Sequence, residues 1–123
     1  MTTPAPVLDA AQRAARIAQQ NDRFRSTWGA DFTIPGQIVI TPGVGEKDIG
    51  FQAEMMTAVM QFDAFSEDNN PHGERDFGAF DVQGQRLFWK LDLYDVDYRY
   101  GTPEPTNPSV TRRALTIMLA CEY

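Results

Sequence analysis

Nine consecutive residues, Asp68 to Asp76, read DNNPHGERD and gather Asp68, Asn69, Asn70, His72, Glu74, Arg75 and Asp76 in one short stretch. Carboxylates beside an imidazole suit two chemistries. They can hold a divalent cation, or they can move protons as general acid and base. His72, Glu74 and Asp76, joined by Asp92 further along the chain and by Lys90 as a charge stabiliser, are the candidate set for either. Asp68 and Asn70 complete the candidate loop, and Tyr94 lies with Lys90 and Asp92 on one face of a candidate strand. Better-specified chemistries fail on spacing. A calcium loop counted from Asp68 puts Gly73 correctly at position six, but an imidazole replaces one oxygen ligand and Ala79 stands where the closing glutamate belongs. One histidine and one cysteine cannot build a zinc finger or a three-histidine centre, and no metal site and no cofactor are expected. The PGVG of Pro42 to Gly45 lacks the lysine and hydroxyl residue of a phosphate loop. Two plainer readings compete. Asn, Pro and Gly are turn formers, and Arg75, Lys90, Arg112 and Arg113 can neutralise these acids as a salt-bridge network, which is the reading the residues favour.

The elements that must position this loop follow from periodicity. Ala10, Ala14, Ile17, Asn21, Phe24 and Trp28 recur three and four apart and predict a helix from about Val7, ended by Gly29. Asn21 interrupts that stripe and needs a hydrogen-bonding partner if buried. Gln37 to Thr41 predicts a strand between two Pro-Gly turn signals. Asp48 caps a second helix with apolar positions at Ile49, Ala53, Met56, Val59, Met60 and Phe62. Phe77 to Val82 and Arg86 to Asp95 predict a hairpin turning at Gln83 to Gln85. In its second strand Leu87, Trp89, Leu91 and Leu93 alternate with Phe88, Lys90, Asp92 and Tyr94, so one set faces the helices and the other the opposite side. Thr111 to Tyr123 predicts a last strand, with a buried helix as competitor, and places Arg112 and Arg113 on opposite faces. The expected fold is one α+β domain over residues 1–123: two main helices on one face of a mostly antiparallel sheet of about four strands, behind a flexible arm at residues 1–6.

Composition bounds the function. The 123 residues carry a net charge of −6, which argues against direct nucleic-acid binding through phosphates. Residues 61–104 hold four basic and ten acidic residues and nine of the fourteen aromatics, so a folded acidic surface is expected there. No apolar run reaches the roughly 20 residues of a membrane span, and the N-terminus lacks the pattern of a secretory signal, so neither membrane nor export is expected.

Four segments in order carry a resemblance: QNDRFR (Gln20 to Arg25), FSEDNNPHGERDFGAF (Phe65 to Phe80), FWKLDLYD (Phe88 to Asp95) and TRRALTIMLACEY (Thr111 to Tyr123). The chain resembles a family of small alphaproteobacterial proteins, a domain of unknown function often carried on plasmids, whose loop more often reads NDPHGEHDFG. Asn70 here replaces an aspartate and Arg75 a histidine, which removes two potential ligands. The resemblance implies a small cytoplasmic bacterial protein and transfers no activity and no catalytic residue. Three functions are then in play. The first is a non-catalytic protein-binding module, an inhibitor or DNA-mimic-like partner of a DNA-processing or defence enzyme. The second is a small enzyme or weak divalent-metal binder built on the loop with Lys90 and Asp92. The third is an oligomer joined through an aromatic patch around Phe88, Tyr94, Tyr98 and Tyr100.

Overall fold

Helix α1 runs from Ala10 to Ser26 and starts where Asp9 caps it: the Asp9 carboxylate accepts from the Gln12 N–H, and the Gln12 side chain accepts from the Asp9 N–H in return. The computed structural model describes residues 7–123, and the arm expected over residues 1–6 lies outside them. The helix ends in a Schellman turn, with the Gly29 N–H donating to the Phe24 carbonyl and the Trp28 N–H to that of Arg25. Both Trp28 and Gly29 are left-handed, at φ 51° and 72°, so a tryptophan occupies the position expected of the glycine.

Strand β1 (Gly36–Ile40) leads into α2 (Pro42–Gly45), a single helical turn where a bend was expected. Asp48 caps α3 (Ile49–Met60) by accepting from the Phe51 N–H. The buried face of α3 is Phe51, Met55 and Val59, whereas Ile49, Ala53 and Met56 face outward. This corrects the expected stripe. Val59 is buried as expected, but Ile49, the first residue after the cap, lies 89% exposed, and Phe51 and Met55 take the inward positions of the first two turns.

Strands β2 (Phe77–Val82) and β3 (Gln85–Tyr94) form the hairpin, and β4 (Arg112–Leu119) follows a long loop. The expected terminal strand therefore stops at Leu119, and Ala120–Glu122 closes the chain as a 3-10 turn. The sheet order is β1-β4-β3-β2, with β1 parallel to β4 and the other pairs antiparallel. This is the α+β architecture expected, with one short extra helix.

All three helices pack on one face. There Leu87, Trp89, Leu91, Leu115 and Ile117 meet Phe24, Val44, Phe51, Met55 and Val59. Leu93, expected with them, is half-buried. Phe62 and Phe65 stand edge-on to Trp89, at centroid distances of 5.4 and 6.0 Å. The opposite face carries Phe77 and Ala79 of β2, Phe88, Lys90, Asp92 and Tyr94 of β3, Arg112, Ala114, Thr116 and Met118 of β4, and Val39 of β1; Ala114 and Met118, in the middle of it, are buried by their neighbours, and the rest are half-buried or exposed. No helix covers it. Antiparallel sheets tolerate such one-sided burial.

Candidate functional site

The loop between α3 and β2 holds its shape through its own amides. The Asn69 carbonyl oxygen accepts from the Ser66 N–H at 2.8 Å, and its amide donates to Ala64 at 2.9 Å. The Asn70 side chain accepts from the Arg75 N–H at 2.8 Å and closes the turn over Gly73 and Arg75, both left-handed. Asn70, a candidate site residue, is thus spent on backbone geometry.

The other candidates separate into three places. Asp68, His72 and Asp76 line a shallow groove of about 380 Å³ with Phe77 and Tyr123. Glu74 turns instead toward α1 and lines a different cleft with Arg13, Ala14 and Pro105. Burial and the nearby Asp76 raise its pKa, against the pull of His72 and Arg13. Lys90 and Asp92 form an ion pair of 3.0 Å on the open sheet face, and the bond to Asp92 raises the Lys90 pKa. Tyr94 lies on that face beside Tyr98, ring centroids 6.3 Å apart. Among the described residues no three of His, Cys, Asp and Glu come together in a way that could hold a metal ion. The combined set of His72, Glu74, Asp76, Lys90 and Asp92 is therefore not gathered into one site.

The expected salt-bridge network is also rearranged. Only Lys90 pairs with an acid of the candidate set. Arg75 reaches back to Asp22 of α1 at 2.7 Å, with its guanidinium carbon 4.2 Å from the centroid of Phe65. Arg112 donates to the carbonyls of Pro108 and Thr111. Arg113, expected to neutralise one of these acids, pairs with none of them. It is fully buried beneath α1, and its guanidinium donates to Asn21 at 2.8 Å and Gln20 at 3.1 Å. With no carboxylate partner, burial pushes its pKa down to about 10.

Those contacts belong to a polar layer that the candidate list left out. Asn21 also donates to the Glu74 carbonyl at 2.9 Å, which ties the loop to α1. Arg25 donates to the Val59 carbonyl near the C-terminus of α3 at 2.6 Å, pairs with Asp22 at 3.1 Å and stacks on Trp89 at 4.9 Å. One sequence signal pointed here, an asparagine inside an apolar stripe. Its partner lies 92 residues away in the chain.

On the open face, Phe77, Phe88 and Tyr123 make a cluster, with Phe88 5.3 Å from Phe77 and 5.4 Å from Tyr123. Tyr123 is 78% exposed. Beside the cluster lie Asp68 and Asp76, neither of them in an ion pair among the described residues. A family model described as a protein of unknown function, DUF3768, matches residues 40–122. The chain belongs to the DUF3768 family. The family's span takes in the loop, the hairpin and the whole open face of β2, β3 and β4, and begins beyond α1. No curated protein and no solved structure matches the chain.

Proposed function

We propose that this DUF3768 protein is a non-catalytic binding module that takes a basic protein partner on the uncovered face of its sheet. The observation that carries the reading is the sheet itself: helices cover one face, and the other presents the Phe77, Phe88 and Tyr123 cluster beside carboxylates that no ion pair occupies. Aromatic groups supply apolar contact area, and surrounding charge steers encounter and selects the partner. Inside the face the Lys90–Asp92 and Arg86–Asp81 pairs are already matched, so the attraction comes from Asp68 and Asp76 beside the aromatic cluster, joined by Asp97, exposed in the turn after β3. A DNA-processing or defence enzyme, whose own ligand surface is basic, is the partner class such an acidic module fits. The same reading places the protein in the bacterial cytoplasm, as the family resemblance implies.

The test captures binding partners from cells with the wild-type protein and with Asp68→Lys/Asp97→Lys. Both side chains are exposed, and neither makes a side-chain hydrogen bond. Asp95 is left intact because its carboxylate accepts from the N–H groups of Asp97 and Arg99 and holds the turn. A partner that binds wild type should associate more slowly with the double variant, with a weaker dependence on salt. Glu54→Lys, on the helix side, should bind as wild type does. A partner indifferent to the double reversal contradicts the proposal.

A further inference from the structure

The polar layer under α1 has a property that no other interface of the described chain shares. Of the four polar or charged residues buried among the described residues, Asn21 and Arg25 lie on α1 and Arg113 lies directly beneath it, bonded to Asn21. The three buried side-chain nitrogens with no protein acceptor are in the same layer: Arg25 Nε, Arg113 Nη1 and Trp89 Nε1, the last on the ring over which Arg25 stacks. Helix α3, by contrast, buries only the apolar Phe51, Met55 and Val59. The buried apolar contribution of α1 is Ile17, Ala18 and Phe24. A single connection, residues 27–35, joins α1 to the sheet, and its left-handed Trp28 holds a backbone conformation that costs a non-glycine residue energy.

We infer that α1 is a releasable cover, which lifts from the sheet as a unit while α3 and the four strands stay folded. Separating α3 from the sheet exposes apolar surface, which water does not reward. Lifting α1 exposes Ile17, Ala18 and Phe24, but also two guanidiniums and three N–H groups that have no protein acceptor, and hydration of these polar groups offsets part of what the lost contacts took away. The strained turn at Trp28 relaxes in the same step. The Asp22 carboxylate is the latch, because it joins Arg25 on its own helix to Arg75 on the loop at 2.7 Å. Release uncovers Trp89 and Arg113 together.

Native-state hydrogen exchange on the full chain tests this. The α1 amides should exchange at least ten-fold faster than those of α3 and β3, through an opening that exposes less surface and so depends less on denaturant. Asp22→Ala should speed α1 exchange roughly ten-fold, the factor expected for one lost charge-assisted hydrogen bond, and leave β3 unchanged. Asn21→Leu/Arg113→Met, which replaces the polar pair with apolar side chains, should slow α1 exchange. Exchange of α1 only through global unfolding, with the denaturant dependence of β3, overturns the inference. So does an Asp22→Ala effect spread equally over α3 and β3, or faster α1 exchange in the apolar double variant.

Discussion

Trp89 can occupy the centre of the core because Gly78, its cross-strand neighbour, has no side chain. A Cβ on Gly78 would overlap the indole nitrogen of Trp89 and come within 2.8 Å of the Phe62 ring. Gly78→Ala should therefore destabilise the protein by about 1–3 kcal/mol, the usual cost of overfilling a packed site. A urea midpoint equal to wild type would show that the indole has room to move. Glu122 governs a second local balance. Its carboxylate accepts from the Thr41 hydroxyl at 2.7 Å, the Leu119 N–H at 2.9 Å and the Gly43 N–H at 3.0 Å, and these bonds, Thr41 first, lower its pKa. A lowered folded pKa means stability that is present above the ordinary glutamate value of about 4.3 and lost as pH falls through the folded value. Glu122→Gln should thus melt below wild type at neutral pH, with the gap closing in acid. A gap that persists unchanged to pH 2 would contradict this. At this scale the alternation of β3 was legible in the sequence: Leu87, Trp89 and Leu91 are buried as their spacing required. Arg113 was not. An arginine pair in a strand gives no sign that one member lies under a helix, because its partners, Gln20 and Asn21, sit more than 90 residues away.

Elements were legible wherever local chemistry sets their ends. Asp48 announces α3, whereas the cap of α1 at Asp9 shows only in the structure, and the β2–β3 hairpin turns on Gln83 and Gly84, both left-handed at φ 50° and 78°. That geometry is a two-residue turn that favours Asn-Gly. Gln83→Asn should accordingly raise stability by roughly 0.3–1 kcal/mol, read as a higher melting temperature. No rise would mean that Gln83 is held by a compensating contact, for which its 3.4 Å bond to Glu54 is the candidate. Long-range packing sets what periodicity missed. The inward face of α3 depends on how the helix crosses the sheet, which is why Phe51 and Met55 replace Ile49, Ala53 and Met56. The candidate loop shows the same limit. Its turn residues were readable, but its side chains diverge because Asn21 and Asp22 of α1 hold Glu74 and Arg75 on one side while Asp76, at the start of β2, lies toward Tyr123 on the other.

On the scale of the whole molecule, charge and layering act together. The acids of residues 61–104 divide between the two sides of the sheet: Asp63, Glu74 and Glu104 line clefts beside α1, whereas Asp68, Asp76, Asp81 and Asp92 lie on or beside the uncovered face, where Asp92 and Asp81 are matched by Lys90 and Arg86. On the proposed reading, binding depends on the aromatic cluster for contact and on the remaining carboxylates for approach. The most direct measurement puts a photoreactive benzoyl-phenylalanine at Tyr123 on this face, and separately at Glu54 on the helix side, and irradiates living cells that make the protein. The account predicts one discrete crosslinked species from position 123 and none from position 54. No crosslink from position 123, or the same species from both positions, would contradict it.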